Sequence, residues 1–206
     1  SKKHEKKGRH ILFIGHSGHP EVEGTLGQVS KDSITLIENK NDALKFIPLP
    51  NSSLAYATQT TLSSDDTKEI IKILKKRFPK ISEPNGNDIC YATTNRQEAV
   101  KYLAPKTDLF IIIGSSNSSN SKRLVEVALK AGAKNAILID SYLDLDFVEL
   151  DNAQTIGLSA GASAPESLVQ EVISYLESNY NINTDFGSIV SEDIQFKLPS
   201  ILNTSS

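Results

Sequence analysis

The chain has 206 residues, of which 22 are Lys or Arg and 25 are Asp or Glu, so its formal net charge is −3. This net charge gives no sign of a basic surface that would bind nucleic acid or an anionic membrane. The longest apolar run, Leu109–Ile113, is too short to span a bilayer. A single cysteine excludes an intrachain disulfide and suits a reducing compartment. We therefore expect a cytoplasmic globular protein that binds neither nucleic acid nor membrane.

Predicted strands and helices alternate along the chain. Continuous apolar runs at residues 11–14, 109–113 and 136–139 end in Gly or Asp, which is typical of strands buried on both faces of a parallel sheet. Helices are predicted where apolar residues recur at helical spacing: Ile70, Leu74 and Phe78; Ala99, Val100 and Leu103; Leu124, Ala128 and Ala131; Leu168, Val172 and Leu176. This alternation predicts an α/β fold with mostly parallel sheets.

The chain is predicted to consist of two similar small α/β domains. Residues 10–80 carry a strand, a loop, a second strand and a helix, and residues 88–178 carry a longer series of the same kind. The turn formers at 81–88 mark the boundary between them. We therefore expect one domain over residues 1–86, another over 87–178, and a C-terminal tail over 179–206 with a short strand at 194–198.

Five connections that leave predicted strands are rich in Ser, Thr, Asn and Gly. They span residues 15–24, 58–66, 90–97, 114–121 and 159–166. In open α/β sheets ligands bind beyond the carboxyl ends of the strands, where helix N-termini favour anions. No Walker or dinucleotide-binding glycine pattern is present. These loops therefore predict a phosphate or diphosphate ligand.

Each hydroxyl in these loops has a simpler explanation as a helix cap. Thr94 with Gln97, and Ser163 with Glu166, have capping-box spacing, and Ser63 or Ser64 can cap the helix that follows. Caps do not require five such loops or an unbroken polar run at residues 118–121. The recurrence favours a ligand site.

Two further groups could carry chemistry. His16, His19 and Glu21 follow the first strand at a spacing that matches no common zinc pattern; the loop could hold a proton-transfer pair or simply be a polar surface. Cys90 precedes a predicted helix N-terminus, where a thiolate would be favoured as nucleophile or metal ligand. A buried, inert side chain is the alternative for Cys90.

Six segments together resemble the LytB/IspH family, the 4-hydroxy-3-methylbut-2-enyl diphosphate reductases of the non-mevalonate isoprenoid pathway. In chain order they are HPEVEGTLGQ (19–28), TQTTLSSDDT (58–67), RFPKI (77–81), DICYATTNRQEAV (88–100), GSSNSSNSKRL (114–124) and AGASAPE (160–166). Their order and spacing match the family from about residue 11 to 175.

The resemblance implies a two-electron reductive dehydroxylation that yields isopentenyl and dimethylallyl diphosphates. It implies a 4Fe–4S cluster held by three cysteines, an allylic diphosphate substrate, and an electron donor such as ferredoxin or flavodoxin. Matched position by position, Cys90 is a cluster ligand, Glu21 delivers a proton, and Thr60 lies near the substrate alcohol. The residues matched to substrate binding are His19, Thr60, Thr61, Ser118, Ser119, Asn120 and Ser163.

The sequence departs from the family pattern because it lacks the first of three domains, which carries the other two cluster cysteines. It also contains no Met, which leads us to expect a fragment. The sequence is compatible with three hypotheses. The chain is part of a full-length reductase, or it is a cluster-free module that binds diphosphates and is catalytically inert, or it is an unrelated α/β protein that binds sugar phosphates.

Overall fold

The computed structural model describes residues 8–84, 89 and 91–185. Within them the strands are β1 (Arg9–Ile14), β2 (Ile34–Ile37), β3 (Ser53–Thr58), β4 (Leu109–Ile113), β5 (Asn135–Ile139) and β6 (Ile156–Ala160). The α-helices are α1 (Pro20–Leu26), α2 (Lys40–Lys45), α3 (Ser64–Arg77), α4 (Tyr91–Leu103), α5 (Ser119–Ala131), α6 (Phe147–Asp151) and α7 (Glu166–Asn179). None of the helices in this part of the chain is long and apolar enough to cross a membrane.

The strands form two parallel sheets of three strands each. Their orders are β2-β1-β3 and β5-β4-β6, so the strand that comes first in the chain lies at the centre of its sheet. All four strand pairs are parallel, which brings the carboxyl ends of the strands in each sheet to one edge. The predicted α/β class with parallel sheets is confirmed.

Each central strand is buried because both of its faces are covered. On β1, Leu12 packs with Ile70 and Leu74 of α3, while Phe13 packs on the other face with Val22 of α1. β4 repeats this pattern: alternate residues face α4 and α5 on one side and α7 on the other. Burial of both faces explains why these two strands are continuous apolar runs.

The helices predicted from apolar spacing are α3, α4, α5 and α7, and all four are present. The first half of the chain holds more than was predicted. Three strands precede α3 where two were expected, and α1 begins at Pro20, inside a segment that was predicted to be a loop. The periodicity method misses α1 and α2 because helices of seven and six residues show fewer than two turns of pattern.

Both predicted capping boxes are wrong, whereas the predicted cap at Ser63 is confirmed by its hydroxyl, which accepts from Asp66 N. α4 already begins at Tyr91, which places Thr94 within the helix, and the amide of Gln97 bonds the backbone of another loop instead. Pro165, not Ser163, is the N-cap of α7.

Several predictions lie outside the described residues. They are residues 85–88 of the proposed domain boundary, Cys90, and the strand expected at 194–198. The division into domains at 86/87 and the tail stay predictions.

Candidate functional site

The loops that follow β1, β3, β4 and β6 contact one another or the helices that begin after them. The β1–α1 loop contacts the N-terminus of α5, and Arg96 of α4 donates to the carbonyl of Ala160 at the end of β6. The predicted convergence of polar loops at the strand ends therefore has a structural basis, and it draws on both halves of the chain.

Glu21 and Thr60 form a hydrogen-bonded pair between two of these loops. Glu21 is the second residue of α1, and Thr60 follows β3. The Glu21 carboxylate accepts from Thr60 N at 3.0 and 3.2 Å and from Thr60 Oγ1 at 2.9 Å. Both side chains are half-buried. An acid and a hydroxyl in this contact can exchange a proton and pass it to a ligand oxygen.

His19 joins the two halves of the site. As N-cap of α1, its Nδ1 accepts from Glu21 N at 3.1 Å. The neutral ring then carries its proton on Nε2, which lies 2.6 Å from Ser119 Oγ at the start of α5. His19 therefore holds the segment bearing Glu21 and reaches the predicted diphosphate segment with the same ring.

The N-terminus of α5 contains a buried amide that has no partner in the described structure. Ser118 is the N-cap and accepts from Ser121 N at 3.3 Å. Asn120 is only 6% exposed, yet neither Nδ2 nor Oδ1 makes a hydrogen bond. Leaving a buried polar group unpaired costs about 1–3 kcal/mol, so an unpaired amide beside a helix N-terminus indicates a ligand with oxygen acceptors.

Two glycines allow α5 to start close to the strand ends. A Cβ at Gly114, after β4, would lie within 2.3 Å of Ser121 Oγ, and one at Gly161, after β6, within 2.2 Å. Gly114 also has φ +158. The hydroxyl of Ser121 fills the space that the missing Cβ atoms leave, and this packing places the adjacent Asn120 at the convergence of the loops.

Gln59 and Gln97 are site residues that the sequence analysis missed. Gln59 is 2% exposed; its Oε1 accepts from His16 N and its Nε2 donates to Thr61 Oγ1, both at 3.1 Å. Gln97 is fully buried and bonds Leu62 O and Ser64 N, both at 2.9 Å. Together they fix the loop that carries Thr60 and Thr61. Nothing in a polar run distinguishes a buried glutamine from an exposed one.

Charged contacts surround this arrangement. Lys130 of α5 lies 2.9 Å from Asp66 at the start of α3, and this ion pair lowers the pKa of the Asp66 carboxyl. Beside the β1–α1 loop, the backbone N–H of Ser17 donates to Glu38 at 2.7 Å and lowers the pKa of that carboxyl. The first contact ties α5 to α3, and the second ties the β1–α1 loop to the residue that follows β2.

The structure thus brings together most of the residues predicted for the site. Glu21 contacts Thr60, His19 contacts Ser119, Thr61 is held by Gln59, and Asn120 lies unpaired beside Ser119. Ser118 serves as a cap, and Ser163 is exposed in the turn after β6. Cys90 lies outside the described residues, directly before α4.

The fold defines an α/β protein with two parallel sheets, and a buried amide without a hydrogen-bond partner lies among the polar loops at their strand ends. The chain belongs to the LytB family, because the family described as "LytB protein" matches residues 1–177. The resemblance inferred from the six segments is confirmed.

Named relatives agree with this assignment. A 4-hydroxy-3-methylbut-2-enyl diphosphate reductase of Gluconobacter oxydans is 53% identical over 194 residues, which are 94% of this chain and 58% of that protein. One of Hyphomonas neptunium is 50% identical, over 98% of this chain and 64% of that protein. The solved structure of the E-1-hydroxy-2-methyl-but-2-enyl-4-diphosphate reductase from Plasmodium falciparum has a TM-score of 0.85 at 36% identity, covering 98% of this chain and 64% of that one. The chain spans about three fifths of these proteins.

The cluster that the resemblance implies is only partly matched by this sequence. The sequence contains one cysteine, whereas the cluster expected from the resemblance takes three. Among the residues that the structure describes, no three His, Cys, Asp or Glu side chains are grouped as metal ligands. A single thiolate cannot replace three, so the residues of this sequence do not by themselves fit the cluster.

Proposed function

We propose that this chain supplies the diphosphate-binding and proton-delivering part of a 4-hydroxy-3-methylbut-2-enyl diphosphate reductase. Membership of the LytB family and the names of relatives at about 50% identity support this proposal. The observation that carries it is the buried, unpaired amide of Asn120 at the N-terminus of α5, next to the His19–Ser119 contact.

The diphosphate end of the substrate binds at the N-terminus of α5. The Asn120 amide gains oxygen acceptors there, and the helix dipole favours the negative charge. His19, Ser118 and Ser119 supply further donors from the same place, with Thr61 and Ser163 reaching it from the neighbouring loops. These groups are neutral, so binding depends on hydrogen bonds and on the dipole rather than on fixed positive charge.

The alcohol end of the substrate lies at the Glu21–Thr60 pair. Thr60 Oγ1 lies 2.9 Å from the Glu21 carboxylate, to which it donates. When Glu21 is protonated, this bond reverses: Glu21 donates to Thr60 Oγ1, and the Thr60 hydroxyl donates its own proton to the substrate oxygen, which leaves as water. The whole reaction consumes two electrons and two protons. Glu21 and Thr60 provide the route for a proton.

The electrons come from outside the described site. In this proposal a 4Fe–4S cluster would be held by the thiolate of Cys90 together with two thiolates that this sequence does not contain, and it would supply the electrons that it receives from a ferredoxin or flavodoxin in the cytoplasm.

The single cysteine favours a second candidate, a cluster-free module that binds diphosphates and lacks activity. Iron and acid-labile sulfide, measured anaerobically on the protein isolated from its source cells, separate the two. Stoichiometric iron and sulfide support the reductase, whereas their absence together with diphosphate binding supports the module.

Substitution of Asn120 tests the observation that carries the proposal. We expect Asn120→Ala to weaken binding of inorganic pyrophosphate at least tenfold, because it removes the buried amide that the ligand satisfies. Isothermal titration calorimetry measures this change. Asn117→Ala is the matched control, because Asn117 lies exposed in the loop just before α5. Equal affinity of the two variants would contradict the assigned diphosphate site.

A further inference from the structure

Two hydrogen bonds, one helical turn apart, join the β1–α1 loop to α5. The first links His19 to Ser119. In the second, Nη2 of Arg123 lies 3.0 Å from Nε2 of His16. Ser119 and Arg123 are four residues apart and so lie on the same face of α5. The proposed mechanism uses neither residue of the second contact.

The chemistry of the Arg123–His16 contact fixes its direction. A guanidinium has only donors, so Nε2 of His16 must accept, and the neutral ring then carries its proton on Nδ1. The other terminal nitrogen of Arg123 pairs with Glu126, and the Arg123 side chain is 18% exposed. Both terminal nitrogens of Arg123 therefore have a hydrogen-bond partner, which favours one orientation of the guanidinium.

His16 and His19 belong to one tight turn. The backbone N–H of His19 donates to the carbonyl of His16 at 3.3 Å, and Gly18 has φ +75, a conformation that a side chain would strain. His16 is also held by the loop that follows β3, because its backbone N–H donates to Oε1 of Gln59. Holding His16 in place therefore also holds His19.

We propose that Arg123 is a positioning residue for the diphosphate site. By donating to His16, it keeps the β1–α1 loop against α5, so that His19 and Asn120 remain close enough to bind the same ligand. Arg123 acts through His16 rather than by touching the diphosphate. This inference rests on the proposed function, since it concerns the affinity of the same site.

A double-mutant cycle on the intact protein tests the inference, with inorganic pyrophosphate as the probe in calorimetry. Arg123→Ala and His16→Ala should each weaken binding by about tenfold, the size expected for one hydrogen bond to a charged group. The double variant should bind no more weakly than either single variant, because both changes remove the same bond. His16→Gln, whose Oε1 can accept in place of Nε2, should recover part of the affinity.

Lys122→Ala is the matched control. It removes one cation from the neighbouring, exposed position of α5, and it should leave the affinity within about twofold because an exposed charge is screened by solvent. Urea denaturation of every variant shows whether a loss of affinity reflects a loss of folded protein.

The outcomes separate this inference from the proposed function. If the wild-type protein does not bind pyrophosphate, the proposed diphosphate site is wrong, and the inference fails with it. If the wild type binds but either single variant keeps full affinity, or the two single losses add, Arg123 does not act through His16 and only the inference is overturned. Nitrogen NMR of His16 without ligand gives an independent check: a protonated Nε2 in the wild type would also overturn it.

Discussion

Thr60 donates two hydrogen bonds to Glu21, one from its backbone N–H and one from its hydroxyl, and the two bonds have different roles. Its backbone N–H holds the carboxylate in place, whereas its hydroxyl can carry a proton onward. A substitution that removes only the hydroxyl leaves the first contact intact. The role in proton transfer can therefore be separated from the role in holding Glu21.

We expect Thr60→Val to lower turnover of the full-length protein by about 100-fold, because a relay hydroxyl is lost, and to change the free energy of unfolding by no more than about 1 kcal/mol. Anaerobic assays of substrate reduction measure the first quantity and urea denaturation the second. Thr60→Ser should restore most of the activity. Thr25→Val, a change of the same kind within α1, is the control; equal turnover in the Thr60 and Thr25 variants would rule out the relay.

Single residues also show how much of the candidate site could be predicted from the sequence. The residues of the pair, Glu21 and Thr60, were identified by resemblance, but their contact joins positions 39 apart and only the structure gives it. Gln97 was predicted to complete a capping box, yet it is buried across another loop. Sequence spacing describes local partners, and it cannot distinguish them from a tertiary partner that satisfies the same amide.

At the scale of elements, the position of α5 depends on the packing of Ser121 against Gly114 and Gly161. Each glycine follows the last residue of a strand, and a Cβ there would overlap the Ser121 hydroxyl. The start of α5, which carries Ser119 and Asn120, can therefore lie this close to the strand ends only because Gly114 and Gly161 have no side chains.

We predict that Gly161→Ala destabilises the protein by about 1–3 kcal/mol, the usual cost of overpacking, and weakens pyrophosphate binding because the start of α5 must shift. Adding Ser121→Ala should recover most of the stability, since the nearest contact would then be Ser121 Cβ at 3.5 Å. Gly24→Ala is the control, because a Cβ at Gly24 meets nothing within 4 Å. Urea denaturation and calorimetry measure both effects. If the double variant is no more stable than Gly161→Ala, the packing argument is incorrect.

The elements that the sequence predicted are those with enough residues to show a period. α3 and α7 have 14 residues each, and their apolar spacing is clear. α1 and α2 are shorter, and α1 lies in a stretch whose Gly, His and Pro residues are typical of a loop. The buried strands β1 and β4 were found as apolar runs because both of their faces are covered.

For the whole molecule, the two sheet units are joined by contacts between helices as well as by the site. The Lys130–Asp66 ion pair links α5 to α3 and lowers the pKa of Asp66. A lowered pKa in the folded state stabilises the protein above the ordinary Asp value near 3.9, and this contribution is lost as the pH falls through the lowered pKa.

We therefore expect Lys130→Met to lower the free energy of unfolding by less than about 1 kcal/mol at pH 7, because the pair is exposed. This difference should disappear as the pH falls through the lowered pKa of Asp66. Urea denaturation at several pH values measures it. Lys122→Met changes an exposed lysine of the same helix and should show no such pH dependence. A difference for Lys130→Met that persists in acid would show that its packing, not its charge, matters.

In the function we propose, this chain delivers a proton within a 4-hydroxy-3-methylbut-2-enyl diphosphate reductase. The most direct measurement is anaerobic reduction of that diphosphate by the full-length protein and its Glu21→Gln variant, with iron and sulfide determined on the same samples. We expect isopentenyl and dimethylallyl diphosphates from the wild type, and a loss of most turnover in the variant at unchanged iron content. Equal turnover in the variant, or no product from a wild type that carries its iron and sulfide, would contradict it.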